Sequence, residues 1–334
     1  LSDKIQLAHG GGGKLSAKLI EDEILPRFGK KALKDLPDAA SLTLSSGKLI
    51  FSTDSFVVNP IEFPGGNIGD LAIHGTVNDI SAAGGKPLWL SLGLILEEGL
   101  PIETLRKILD SVRDAAQNCG VEIATGDTKV VPKGQCDKIY INTSGIGEAL
   151  EGFDLKKNRI KEGDCVIISG NIGDHGTAVM TARENIKLEN GPESDSAPTF
   201  NLVEALSECA KDISFMRDPT RGGTAAVLNE IVAGSNVGIL LKEENLPVSS
   251  ETAAVSEMLG LDPLNVACEG RMIVVCDRSV SDIVLRNWWN MPEGENAALI
   301  GTVTNDKGRV SLRTATGGKR LVDVPMGEIL PRIC

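Results

Sequence analysis

The chain has 334 residues, of which 34 are basic and 46 acidic, for a net charge of −12. This length favours two domains of ordinary size, and 41% apolar residues suffice for sizeable cores. No run approaches the ~18 consecutive apolar residues of a membrane span, and no basic cluster offers a nucleic-acid surface. An acidic protein that holds a nucleotide needs metal ions to manage the combined charge. The seven cysteines include no C-x-x-C pair and have few histidines nearby. That pattern fits reduced thiols in a cytoplasm better than a disulfide framework or a zinc site. The charged, Gly-rich start is unlike a secretory signal, and a short native segment is expected ahead of Leu1.

In chain order, His9-Gly10-Gly11-Gly12-Gly13-Lys14 comes first. Four glycines carry too much backbone entropy for a stable element. They suit either a flap whose N–H groups close over phosphates or a plain leader. The run is not a Walker A loop, because Ala8 stands where a glycine is required and Leu15 follows Lys14. Ser41 to Leu44 and Lys48 to Thr53 alternate like a hairpin around Ser46-Gly47. Ile68 to Ala83 reads as a helix, and Leu88 to Leu96 as a strand buried on both faces. Pro101 opens a helix whose stripe is Ile102, Leu105, Leu109, Val112 and Ala116, closed by Gly120. Val121 to Thr125 is a short strand running into Gly126-Asp127-Thr128-Lys129, and Ile139 to Gly147 is another.

The polar stretch Glu151 to Gly163 marks a boundary, giving domains over 1–154 and 155–325 and a tail over 326–334. Beyond it, Cys165 to Ser169 is a strand, and the Gly170 to Gly176 run opens a helix without dinucleotide-site spacing. Gly191 to Pro198 is a turn-rich loop, followed by a helix over Asn201 to Lys211. Arg221-Gly222-Gly223 opens the next helix, either as an anion site or as a plain capped turn. Arg271 to Cys276, Ala298 to Val303 and Val310 to Leu312 complete the strands, with a helix over Ser279 to Asn290. This order, without strict βαβ repetition, is that of an α+β protein. Pro331 disfavours helix before it, so Met326 to Cys334 is expected to be extended, with a reach of roughly 30 Å. Such a tail can carry the thiol of Cys334, the last residue of the sequence, into a pocket.

Several residues suit chemistry by type and place. Asp38, Asp54, Asp79, Asp127 and Asp218 stand at element ends or beside glycines, as hard magnesium donors or as turn caps. Lys129 and Glu269 could position and deprotonate a reacting group, or be solvated charges. His74 and His175 show no partners in the sequence and are expected to be structural. No catalytic triad motif is present.

Taken together, particular motifs carry the reading further. They are His9-Gly10-Gly11-Gly12-Gly13, Ser52-Thr53-Asp54-Ser55, Phe63-Pro64-Gly65-Gly66-Asn67-Ile68-Gly69, Asn78-Asp79, Gly126-Asp127-Thr128-Lys129-Val130-Val131, Gly173-Asp174-His175-Gly176, Arg221-Gly222-Gly223 and Pro331-Arg332-Ile333-Cys334. In this order they resemble the HypE family of hydrogenase-maturation carbamoyl dehydratases, within the aminoimidazole ribonucleotide synthetase-like (PurM-like) ATP-binding superfamily. Selenophosphate synthetase and thiamine-monophosphate kinase are similar in the nucleotide half but are not known for the terminal motif.

The resemblance implies a two-domain PurM-like fold whose N-terminal domains pair into a dimeric β-barrel, with a C-terminal α/β sandwich. It implies ATP-dependent dehydration of a carbamoylated Cys334 to a thiocyanate, the cyanide source for [NiFe]-hydrogenase iron. Lys129 and Glu269 match residues that handle the amide oxygen and proton. Lys14, Asp54, Asn78, Asp79, Asp127, Thr128 and Asp218 match nucleotide-site positions, and Asp38, Asp54, Asp79 and Asp218 match Mg2+ positions. The implied partners are the carbamoyltransferase HypF, the iron-site scaffold HypC–HypD and a second copy of the chain, in the cytoplasm. A superfamily phosphotransferase acting on a small free substrate would not need Cys334, and a non-catalytic maturation scaffold would not consume ATP.

Overall fold

The structure, a computed structural model, describes residues 4–6, 9, 18–28, 47–324, 330 and 332–334. Lys14, Asp38, the four glycines of the first motif and the strand expected over Ser41 to Leu44 lie outside the described residues.

In the N-terminal half, β1 (Leu49–Phe56) leads to a ribbon of β2 (Glu62–Phe63) and β3 (Gly66–Asn67). Then come α1 (Ile68–Ala82), β4 (Gly85–Glu97), α2 (Ile102–Asn118), β5 (Glu122–Val131) and β6 (Ile139–Ala149). Asn67 caps α1 by its side chain accepting from Gly69 N–H, and Asp70 accepts in turn from the Asn67 backbone N–H, so the helix start is set locally. The sheet order is β1-β6-β4-β5, with only β4 and β5 parallel. A parallel pair needs a crossover, and α2 supplies it. Leu90, Leu92, Leu94 and Leu96 of β4 are buried with Leu71, Val77, Leu105, Leu109 and Val112 of α1 and α2.

The expected barrel is not formed. The sheet is open, because β1 and β5 each pair on one side only. Closing a barrel requires the edge strands to pair, and four strands of one chain are too few to curl shut around a packed interior. The outer face is correspondingly uncovered, with Phe51 61%, Leu49 47% and Ile95 40% exposed.

The C-terminal half contains, in order, β7 (Cys165–Ile168), α3 (Asp174–Arg183), α4 (Phe200–Glu204), β8 (Ile213–Arg217) and α5 (Gly223–Val232). It continues with β9 (Gly238–Lys242), α6 (Ser250–Leu259), β10 (Ile273–Cys276), α7 (Ser281–Trp289), β11 (Ala298–Thr304), β12 (Val310–Arg313) and β13 (Lys319–Leu321). Seven strands form one sheet in the order β13-β12-β9-β11-β7-β10-β8. Both its faces are covered, one by α5 with Ile168, Ile239 and Val275, the other by α7 with Ile167, Val274 and Trp288. The halves share apolar contacts: Val179, Val266 and Ala267 belong to the same core as α1 and α2.

Candidate functional site

Four carboxylates from distant parts of the chain lie near enough, where the halves meet, for their charges to act on one another. On β1, alternation turns Ile50, Ser52, Asp54 and Phe56 inward, away from the exposed face. Ser52 Oγ donates to Asp79 Oδ2 at 2.6 Å, tying the strand to α1. Asp218 follows β8 and is buried, and Glu269, only 2% exposed, precedes β10. Burial, then the charge of Asp79, pushes the Asp218 carboxyl up to about 7. Burial also raises Asp54; the Ser55 amide opposes this, Asp79 adds to it and Arg221 opposes it again. Burial and the charges of Asp218, Asp195, Asp54 and Asp79 hold Glu269 well above the usual carboxylate range. Such a cluster is costly when empty, and positive charge brought among the acids relieves it.

Among the described residues, no three acidic, His or Cys side chains already close on a common point as around a bound metal. The donor set nevertheless suits a hard divalent cation. Asp54, Asp79 and Asp218 are oxygen donors, and buried Glu269 Oε1 has no hydrogen-bond partner.

The loop over residues 191–199, legible in the sequence only as turn-rich, joins the two halves. Ser194 N–H donates to Pro64 O at 2.8 Å. Asn78, 1% exposed, donates to Ala197 O at 3.0 Å and Glu269 O at 2.9 Å and accepts from Thr199 N–H at 2.8 Å. Asp195 accepts from Glu269 N–H at 3.1 Å and pairs with Arg271 at 3.2 Å. Gly270 is required there, because a Cβ would stand 1.8 Å from Asp195 O. Thus Asn78 holds the backbone that carries Glu269.

Asp127, Thr128 and Lys129 stand elsewhere. Asp127 pairs in register with Gly93 and Lys129 with Ile95, so both belong to the outer face of the open sheet. They form an exposed ion pair at 3.0 Å, which holds the Asp127 carboxyl below its usual range. Thr128 aligns with inward Leu94. Within one chain, then, Asp54, Asn78, Asp79, Asp218 and Glu269 come together, while Asp127 and Lys129 do not join them.

The tail is docked. Ile333 is 2% exposed and packs in the N-terminal core with Leu330, while Cys334 is partly buried against it. Val57 N–H donates to Cys334 O at 3.1 Å and Asn59 N–H to Arg332 O at 3.2 Å, so the tail runs antiparallel to the segment after β1. Arg183 adds a bond to Arg332 O at 2.7 Å, and His175 Nε2 lies 2.8 Å from Ile333 O. Arg332 pairs with Asp137 at 2.9 Å and stacks on Tyr140, at 5.8 Å from the ring centre. Sequence reasoning missed Arg183, Ser194 and Asp195 altogether. The signal for His175 was its motif, Gly173-Asp174-His175-Gly176, but nothing there named the tail as its partner.

Two α/β units with an acidic cluster between them define a class. The family model described as AIR synthase related protein, N-terminal domain, matches residues 37–149, and that of the C-terminal domain matches residues 161–313. Carbamoyl dehydratase HypE of Rhizobium leguminosarum bv. viciae is 47% identical over 333 residues, covering 99% of this chain and 95% of the relative. A solved structure of hydrogenase maturation protein HypE in complex with ATP matches with a TM-score of 0.93 at 44% identity, over 98% of this chain and 99% of that one. The HypE chain of a HypE–HypF complex matches with a TM-score of 0.81 at 44% identity, over 94% and 100%. The chain belongs to the HypE family of carbamoyl dehydratases.

Proposed function

We propose that the protein uses ATP to dehydrate a carbamoyl group carried on the sulfur of its own Cys334, making the thiocyanate that supplies cyanide in hydrogenase maturation. The observation that carries this reading is the docked tail: Cys334 is bonded to Val57, three residues beyond Asp54 of the acidic cluster.

The chemistry follows from what must leave. An amide does not lose water readily, because hydroxide is a poor leaving group. The thiocarboxamide oxygen attacks the γ-phosphorus of ATP and ADP departs. The C–O bond then breaks, phosphate leaves with the oxygen, and both nitrogen protons are released as the C≡N bond forms. Glu269 is the candidate proton acceptor: burial and the neighbouring acids keep its carboxyl protonated on their own, and positive charge brought among those acids would free it to take a proton. Docking of the tail excludes water, which would otherwise hydrolyse the phosphorylated intermediate.

Asp54, Asp79 and Asp218, with Asp38 beyond the described residues, would hold Mg2+, which when bound offsets the phosphate charge. Lys14, Asn78, Asp127 and Thr128 are kept as nucleotide-site residues and Lys129 as the amide-oxygen residue. Asp127 and Lys129 share the outer sheet face with the exposed Phe51, Leu49 and Ile95. A second copy covering that face would make a homodimer and bring these residues into an interface. HypF is the proposed carbamoyl donor, supported by the HypE–HypF complex of a relative, and HypC–HypD the proposed cyanide acceptor. No helix among the described residues is long and apolar enough to cross a membrane, and no disulfide joins the cysteines. Both fit a cytoplasmic setting.

Intact-mass measurement on Cys334-carbamoylated protein tests the reading. ATP and magnesium should remove one water's mass, and Cys334→Ala should form no cyanide-donating product while melting within ~1 kcal/mol of wild type, as expected for a half-buried last residue. Product from Cys334→Ala would remove the terminal thiol from the mechanism.

A further inference from the structure

Among the described residues around the docked tail, His175 grips it with a side chain whose other end is held by the strip beside the acidic cluster. The ring is fully buried at the first turn of α3, edge-on to Phe63 with centres 5.4 Å apart and planes at 88°. Both nitrogens are engaged: Nδ1 lies 2.8 Å from Ser194 Oγ and Nε2 lies 2.8 Å from Ile333 O. A carbonyl only accepts, so Nε2 carries the proton. In the neutral ring Nδ1 is then a bare acceptor, and Ser194 Oγ donates to it. Ser194 Oγ in turn accepts from Ser196 N–H at 3.1 Å. Burial lowers the imidazole's pKa, which keeps the ring neutral. Every hydrogen-bonding position of this small network is therefore assigned, and only one tautomer and one ring orientation satisfy it.

Ile333 C=O belongs to the peptide that joins Ile333 to Cys334, so holding that oxygen sets where the last residue begins. The same strip reaches the other reacting group. Ser194 orients the ring, while its neighbour Asp195 accepts from Glu269 N–H at 3.1 Å. Ser194 N–H is itself fixed to Pro64 O at 2.8 Å. Adjacent residues of one loop thus hold the seat of the thiol and the backbone of the candidate base.

We propose that His175, locked as the Nε2–H tautomer by Ser194, is the positioning residue that seats Cys334 for dehydration and sets that seat relative to Glu269. This deepens the dehydratase reading and rests on it for its purpose, though the docking contact stands on the geometry alone.

The test follows alkylation of Cys334 by iodoacetamide in the full-length, uncapped protein, resolved from the other six cysteines by peptide mass mapping. His175→Gln keeps an amide N–H about where Nε2 stands, and His175→Asn is too short to reach Ile333 O. We expect Cys334 to label about tenfold faster in His175→Asn, equal to about 1.4 kcal/mol of docking free energy. His175→Gln should recover much of the wild-type protection, although both variants lose the ring. In carbamoylated protein the single-turnover dehydration rate should fall in the same order, with KM for ATP held. If His175→Asn fails to fold, Ser194→Ala, which removes one hydroxyl from the loop, should also speed labelling. Wild-type labelling rates in the variants that fold, or equal acceleration by Asn and Gln, would overturn the proposal. Labelling needs no turnover. A protein that shows the expected labelling order but never dehydrates would therefore overturn the activity and leave the seat intact.

Discussion

Replacing Asp218 by asparagine should make the nucleotide-free protein more stable and less able to bind its ligand. The carboxyl is raised from 3.8 to about 7 by burial and by Asp79. At ~1.4 kcal/mol per pH unit, the charged form costs the folded state up to about 4 kcal/mol. The folded state therefore holds a proton that the unfolded chain has already lost between pH ~4 and ~7. Wild-type stability from this group is fully present below 3.8 and is lost as pH rises through about 7. The asparagine amide does not titrate, so the advantage of Asp218→Asn should be small near pH 4 and complete above 7. At ~2–4 °C per kcal/mol for a large domain, the gain at pH 8 is on the order of 10 °C. Thermal melts of both proteins at pH 5 and pH 8, in low salt and without nucleotide, read this directly. A variant that is less stable at pH 8, or whose advantage is the same at both pH values, would refute the account of the cluster as mutually repelling. Calorimetry should show the opposite sign for function, with weaker binding of ATP and magnesium.

Asp79→Asn should weaken nucleotide binding only when metal is present, because it removes a hard oxygen donor; equal ATP affinities at saturating magnesium would count against Asp79 as a metal residue. Asn78→Ala removes a buried amide that bonds Ala197 O, Glu269 O and Thr199 N–H, leaving them unpaired. It should cost about 2–4 kcal/mol, seen as a lower urea midpoint, and an unchanged midpoint would show that water replaces the amide.

Where patterning is dense, sequence and structure agree closely. A helix expected over Ile68 to Ala83 is observed as Ile68–Ala82, and the stripe beginning at Ile102 is the buried side of Ile102–Asn118. Apolar periodicity and local caps act within a few residues, so they are visible without a partner. Local reading fails where a distant strand decides. Gly126-Asp127-Thr128-Lys129 looks like the end of a strand, yet β5 continues to Val131 because Leu92 to Glu97 of β4 pair with it in register. The helix expected over Asn201 to Lys211 is broken into Phe200–Glu204 and a tighter turn over Ser207–Asp212. Strands β8, β9 and β13 and helix α6 carry no strong alternation and are not legible in the sequence.

The sequence by itself determined the family, the thiol at its end and the aspartates, because these are matters of residue identity and order. It did not determine which acids meet, since residues 54, 79, 218 and 269 are brought together only by packing across the two halves. Nor did it show that the N-terminal sheet stays open within one chain, which depends on how its edge strands pair. The tail illustrates the division most clearly. Its residues announce an extended reach toward a pocket, but the docked position of its described residues depends on Val57, Asn59, His175 and Arg183. Hydrogen bonds and burial between residues more than a hundred positions apart have no local signature, and only the folded chain makes them.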